Sequence, residues 1–199
     1  MNYQYEIVES GPVYRGFLKI NRYLLKHDLY MGGESVPLIR ERLEQLRAVS
    51  VLLYDPRLDK VVLVEQFRIG AVGQEAVPWV LETVGGFMPA DESDESVARR
   101  EAIEEANCEI ARLEPICGFM VSPGISVDRI ALFCGEVDAS NAQGVHGLDH
   151  EGEDIRVVVM DAEEAIGELY TGRANSTSII IALQWLAMNR EVIRQKWLF

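Results

Sequence analysis

Apolar and polar positions alternate through residues 3–8 and again through 13–30. Period-two alternation is the mark of a half-buried strand, and Gly11–Pro12 between the runs is a turn signal. The pattern therefore predicts two antiparallel strands with a turn at Gly11–Pro12. Residues 31–37 form a turn-rich break. Residues 37–54 carry further strand-like runs, ending in the apolar stretch 48–53. Asp55–Pro56 opens a turn, and residues 60–68 (ending VVLVEQFR) predict a strong strand. Residues 79–84 predict another strand, which runs into Gly85–Gly86, where the backbone can bend sharply. From Ser93 onward the apolar spacing is helical. Residues 115–121, 129–137 and 154–160 read as strands. Two helices close the chain: Asp161, a candidate N-cap, to Thr171 with Gly172 as its stop, then one starting near Ser176 with Ile180, Leu183, Leu186 and Ala187 through its middle. Strands interspersed with helices predict an α/β (α+β mixed-sheet) fold, a sheet sandwiched between helices. Residues 1–44 form a separate small β-subdomain and residues 45–199 the main domain.

With 199 residues, 48% apolar and 26% charged, the composition suits a globular protein with a real core. A net charge of −13 argues against a basic nucleic-acid surface. It also poses a problem: an anionic substrate entering such a protein needs local cations. Cys108, Cys117 and Cys134 lack metal-ligand spacing and read as small buried apolar residues in a reducing cytoplasm. The N-terminal MNYQYEIVES has neither a basic start nor an apolar core, so no secretory signal is expected. No apolar run approaches the roughly 20 residues that span a bilayer, so no membrane partner is expected.

The chemistry concentrates in residues 86–108, GFMPADESDESVARREAIEEANC. Gly86, Glu92, Arg100, Glu101, Glu104 and Glu105 stand at the spacing G-x5-E-x7-R-E-x-x-E-E. Positions i, i+3 and i+4 share one helix face, so Glu101, Glu104 and Glu105 project together. An E-x-x-E-E helix is commonly a solvated acidic face. That reading leaves the glycines unexplained. Three carboxylates in one arc repel one another unless a cation sits among them. A hard divalent ion such as Mg²⁺, with Mn²⁺ as a substitute, suits oxygen ligands, and Mg²⁺ commonly shares its shell with substrate phosphates.

The stretch resembles the box of the Nudix hydrolases, G-x5-E-x7-R-E-U-x-E-E-x-G-U, where U is a bulky apolar residue. Ala102 and Cys108 stand at the U positions. Asn107 replaces the second glycine; Asn tolerates a left-handed backbone best after Gly. The resemblance covers residues 45–190 and implies the Nudix α/β/α sandwich. The segments VEQFRIGA (64–71), Ser122-Pro123-Gly124, His146-Gly147-Leu148 and EDIRV (153–157), with Tyr14-Arg15-Gly16-Phe17, are similar to the bacterial ADP-ribose pyrophosphatase branch.

That resemblance implies hydrolysis of ADP-ribose to AMP and ribose 5-phosphate. By it, Glu101 and Glu105 are the principal metal ligands, and Glu104, the Gly85 carbonyl and Glu153 complete the metal site. Glu151 is the catalytic base on a loop that Gly147 and Gly152 allow to close. Arg100, about a quarter turn from the carboxylate centre, pairs with Glu92 or Glu104 and stiffens the cradle. Arg68 binds the diphosphate or forms a structural ion pair. Asp128, where the branch has Glu, holds the terminal ribose; Ser122 and Gly124 line the same segment. Phe17 packs on adenine, with Arg40 near adenine or ribose. The branch is homodimeric, exchanging its N-terminal subdomain between protomers. The alternatives are a hydrolase of another nucleoside diphosphate sugar, such as GDP-mannose or ADP-glucose, and a catalytically silent ADP-ribose sensor.

Overall fold

The computed structural model describes residues 2–44, 47–89 and 91–199. The chain divides into two compact units: Met1–Arg47 with Met120–Arg129, and Ala48–Phe119 with Ile130–Phe199. The expected boundary between residues 44 and 45 falls at Gln45 and Leu46, which lie outside the described residues. The return of residues 120–129 to the first unit was not foreseen.

The first unit is an antiparallel sheet of β1 (Tyr5–Arg15), β2 (Lys19–His27) and β3 (Leu38–Leu43), in that order. Gly11 and Pro12 are not a turn. They lie inside β1, opposite Arg22 and Asn21. Proline lacks the N–H that a central ladder needs, but β1 is an edge strand, where proline is tolerated. The register shifts between Pro12 and Tyr14, a local irregularity of the same origin. The reversal comes instead at Gly16–Leu18, where the Gly16 N–H donates to the Leu18 carbonyl at 3.1 Å. Residues 120–129 join through Leu43: its N–H donates to the Ile125 carbonyl at 2.8 Å, and its carbonyl accepts from Val127 at 3.2 Å. Among the described residues of this unit, Tyr23 is the one buried apolar side chain. Its hydroxyl donates to Glu44 at 2.6 Å and accepts from Arg42, whose guanidinium also lies 4.5 Å above the ring.

The second unit contains β4 (Ala48–Asp55), β5 (Lys60–Phe67), β6 (Trp79–Glu82), β7 (Val84–Phe87), α1 (Asp94–Ala106), β8 (Leu113–Met120), β9 (Arg129–Glu136), β10 (Val145–His146), β11 (Ile155–Asp161), α2 (Ala162–Thr171) and α3 (Thr177–Leu198). The sheet runs β10-β11-β5-β4-β9-β8, with β6 also paired to β5 and β7 to β4. β4 and β9 are parallel. Strand β4 is buried on both faces, which explains its unbroken apolar run. Val49, Val51 and Leu53 pack with Val62, Val64 and the α1 residues Val97, Ala98, Ala102 and Ala106. Leu52 and Tyr54 face the other way, onto Val61, Leu63 and the α3 residues Ile179, Leu183 and Leu186. One helix on one face and two on the other make an α/β/α sandwich.

Three further expectations are corrected. Residues 79–84 are not a single strand: β6 pairs with β5, and the chain then crosses at Thr83 to pair with β4 as β7. Gly85 and Gly86 are therefore not a loop but part of β7, opposite Ser50 and Val49. The glycine is needed for close approach, because a Cβ on Gly85 would meet the Val49 carbonyl oxygen at 2.3 Å. Cys108 and Cys134 are buried, but Cys117 is exposed, since β8 is the edge of the sheet. The two-residue β10 was not anticipated; it is too short to carry a period. Among the described residues no helix is long and apolar enough to cross a membrane.

Candidate active site

Helix α1 begins at Ser93, whose hydroxyl accepts the Ser96 N–H at 3.2 Å, with Asp94 and Glu95 in the first turn where the helix dipole favours acids. It ends at Asn107, which takes a left-handed φ of 50° and donates its N–H to the Ile103 carbonyl. Cys108 N–H then reaches back to the Ala102 carbonyl at 3.0 Å. This is the C-terminal closure that glycine usually makes.

On the face turned to the sheet, Glu101 is 9% exposed and Glu105 only 2%. Glu105 accepts the Gly85 N–H at 2.9 Å. A Cβ on Gly86 would lie 2.0 Å from the Glu101 carboxylate, so only glycine leaves that acid its place. Burial pushes the Glu105 carboxyl up to about 8 against the Gly85 hydrogen bond, and the charges of Glu101 and Glu153 push it the same way while Arg68 opposes. Burial also raises Glu101, against the attraction of Arg100. The site is thus a pair of buried acids short of positive charge.

Arg100 is closer to that centre than a quarter turn suggests. Its long side chain folds back to donate to Glu101 at 2.9 Å and to Glu104 at 2.7 Å, and it stands 3.5 Å from Glu92. Glu92 in turn accepts from the Ser96 hydroxyl. The loop carrying the later acids is tied to α1: the Gly147 N–H donates to the Glu104 carbonyl at 3.2 Å. Gly147 has φ 110°, and a Cβ there would come within 2.6 Å of the Glu153 Cβ. Glu153 accepts the Leu148 N–H at 3.0 Å. Glu151 sits on a single helical turn, Asp149–Glu151, exposed, with His150 Nε2 3.7 Å away. Arg68, just past β5, donates to Glu82 at 2.7 Å.

The expected gathering of three projecting carboxylates is not met: among the described residues no three His, Cys, Asp or Glu side chains converge closely enough to hold an ion. Protein donors occupy these carboxylates instead: one Arg100 nitrogen bridges Glu101 and Glu104, the Gly85 N–H bonds Glu105, and the Leu148 N–H bonds Glu153. The donor set nevertheless fits a hard divalent ion. It is all oxygen, and two of its acids are buried, with raised pKa values that a cation would relieve.

Residues 44–182 match the NUDIX domain. This chain belongs to the Nudix family. It is 42% identical over 192 residues to the ADP-ribose pyrophosphatase of Escherichia coli (strain K12), covering 96% of this chain and 92% of that one. It is 40% identical over 195 residues to the ADP-ribose pyrophosphatase of Haemophilus influenzae, covering 96% and 90%. A solved structure titled as an ADP compounds hydrolase superposes with a TM-score of 0.71 at 16% identity, covering 94% and 96% of the two chains. The mixed α/β sandwich is the Nudix fold.

The remaining Nudix candidates belong to the first unit. Phe17 is 84% exposed at the β1–β2 reversal. Arg40 donates to the Ile39 carbonyl at 2.8 Å and is otherwise turned to solvent. The Ser122 carbonyl accepts the N–H groups of Ile125 and Ser126, and Gly124 lies in the turn they close. Asp128 N–H donates to the Ser126 hydroxyl, while its Oδ1 is buried with no hydrogen-bond partner among the described residues. Glu82, the partner of Arg68, was missed in the sequence. Its relevance depends on β6 folding back along β5, with Val64 opposite Glu82. A local pattern carries no sign of that pairing.

Proposed function

We propose that this Nudix protein hydrolyses ADP-ribose to AMP and ribose 5-phosphate with Mg²⁺ as cofactor and Mn²⁺ as a substitute. The buried acid pair Glu101–Glu105 under Gly85–Gly86 carries the hydrolase part of the reading. Identity of 42% over nearly the whole chain to an ADP-ribose pyrophosphatase supports the substrate. Glu101, Glu105, Glu153 and the Gly85 carbonyl would hold the metal, with Glu104 as a neighbouring carboxylate. Bound there, divalent ions would supply neutralising charge to the diphosphate and polarise its P–O bonds.

The protein's own groups do the rest. Arg100 keeps Glu101 and Glu104 oriented, so the cradle is rigid before substrate arrives. Glu151 takes the proton of the attacking water once the loop closes about Gly147 and Gly152. Arg68 presents a guanidinium suited to bidentate contact with the diphosphate, with Glu82 holding it in wait. Ser122, Gly124 and Asp128 contact the terminal ribose, and the unpartnered Asp128 Oδ1 is an acceptor waiting for a hydroxyl. Phe17 stacks on adenine, with Arg40 beside it. The thiols are free, which accords with a cytoplasmic protein.

The partner is a second copy that exchanges the three-stranded sheet. Exposed Tyr5, Ile7, Val8, Val13 and Tyr14 on β1 support this, since such a surface is normally covered. Gel filtration should give a dimer; a fully active monomer would refute it. The substrate is tested by comparing nucleoside monophosphate release from ADP-ribose, ADP-glucose and GDP-mannose with Mg²⁺. ADP-ribose should lead by at least tenfold in kcat/KM. Preference for either rival would overturn the substrate, and binding without release would mark a sensor.

A further inference from the structure

Arg156 opposite Glu65 is the last rung of the β11–β5 ladder; the preceding residue, Ile155, is paired only to His146 on β10. Beyond that rung the chain becomes the loop that carries Glu151 and Glu153. The rung is also ionic. The Arg156 guanidinium donates to Glu65 Oε2, and Arg173 donates to Glu65 Oε1 at 3.3 Å. Arg173 comes from the turn between α2 and α3, just after Gly172, and its other arm bonds Glu168 at 3.2 Å. The Glu65 side chain is only 17% exposed, although both arginines are substantially open to solvent.

We propose that Glu65 is a positioning residue for the loop of residues 147–154, acting through Arg156 and Arg173. The inference rests on the hydrolase reading above, because it assigns that loop the base and a metal ligand. At its other end the loop is pinned by the Gly147 N–H on the Glu104 carbonyl. Glu65 adds a side-chain anchor at the exit, beside the pairing of Val145 and His146 with Arg156 and Ile155 that closes the base of the loop. An ordinary exposed ion pair has little such effect, because water and side-chain motion compete for both partners. Here one half-buried carboxylate is gripped from a neighbouring strand and from a helix turn. Losing it releases both at once. The entry to β11 then gains freedom where a small displacement of Glu151 is costly, since misplacing a catalytic group by about 1 Å can cost of the order of a hundredfold in rate.

The test uses the full-length protein carrying Glu65→Gln, Arg156→Gln, or both. Each single variant should lower kcat on ADP-ribose about tenfold with KM within twofold. The double variant should be no worse than either single, because both remove one strut. Amide exchange across residues 147–154 should speed up about tenfold while β4 and β9 stay protected. Glu65→Asp, which keeps the charge, should recover part of kcat. Leu186→Ala, which weakens the core far from the loop, should lower the melting temperature at least as much and leave kcat within twofold. Unchanged loop exchange, additive losses, or an equal kcat loss in Leu186→Ala would each overturn the proposal. An unmodified protein inactive on ADP-ribose would overturn the hydrolase reading alone, and the exchange measurement would still decide the strut.

Discussion

In the sandwich, every residue of β4 except Ala48 is buried; in the three-stranded sheet, every residue of β1 except Gly11 is exposed. Both strands are rich in apolar side chains. The difference is the number of layers. β4 has α1 on one face and α3 on the other, so its apolar run is used twice over. The three-stranded sheet buries one apolar side chain, Tyr23, among its described residues. Three strands that bury so little are near the lower limit of independent stability. The sandwich is built to hold charged groups still. The small sheet leaves its apolar side chains exposed, and the proposed second copy of the chain would cover them. Substitutions in the two regions should therefore fail in different ways.

The largest effect should come from a residue whose loss disturbs neither region. Glu151→Gln should lower kcat by about 10²–10⁴, the usual worth of a positioned base, while Mg²⁺ affinity, melting temperature and dimerisation stay at wild-type values. Steady-state rates with isothermal titration of Mg²⁺ measure both halves. Normal turnover would remove Glu151 from the mechanism. Weakened Mg²⁺ binding would make it a ligand instead.

What was legible in the sequence divides along the same line. The start of helix α1 could be read near Ser93 because its spacing is local, while its stop at Asn107 was legible through the family pattern. The sandwich followed from the order of strands and helices. The Gly11–Pro12 turn failed because a turn signal and an edge strand use the same residues; only the position of β1 at the rim distinguishes them. Gly85 and Gly86 were marked as special for the wrong reason: the chain needs them to pass close to Val49 and Glu101, and both contacts are distant in sequence. Arg100 pairs with Glu104 and Glu92 as its place on the helix implies; its added bond to Glu101 is not legible from Cα direction alone, because it depends on the length of the side chain. Glu65, Glu82 and Arg156 acquire meaning only from strand pairing, which no local pattern encodes.

The next effect belongs to the sandwich alone. Leu183 is fully buried between α3 and the sheet. Leu183→Ala should cost about 2–5 kcal/mol, the range for deleting a buried leucine and leaving a cavity. Chemical denaturation should show this, with the proposed dimer intact until the sandwich unfolds. A loss below about 1 kcal/mol, or dissociation ahead of unfolding, would show that the two regions do not fail separately.

A smaller effect should appear without any mutation. Glu105 titrates near 8 in the folded chain and near an ordinary 4.5 when unfolded. The folded state therefore binds the proton more tightly, and this contribution is complete below about pH 4.5. It is lost as pH rises through 8. Between pH 7 and 8 the metal-free protein should lose on the order of 1 kcal/mol, the limit set by one proton per pH unit. Saturating Mg²⁺ should reverse the trend, since the ion takes the proton's place. Glu105→Gln should flatten the metal-free profile. A flat profile in the unmodified chain would mean that Glu105 is already compensated.

The smallest effect tests how the sandwich tolerates a departure from its family's signature. Asn107 occupies a left-handed backbone with φ 50°, at the position where the box pattern has its second glycine. Asn107→Gly relieves residual strain but adds freedom to the unfolded chain, so stability should move by only a few tenths of a kcal/mol. Asn107→Ala has no such offset and should cost about 1 kcal/mol, because a Cβ without a polar group pays the full left-handed penalty. Activity should follow neither change, since the turn closes α1 beyond Glu105 and both variants keep the reach-back of Cys108 to Ala102. If kcat fell with Asn107→Gly while stability held, the Asn107 side chain would be acting on the acids rather than on the helix end.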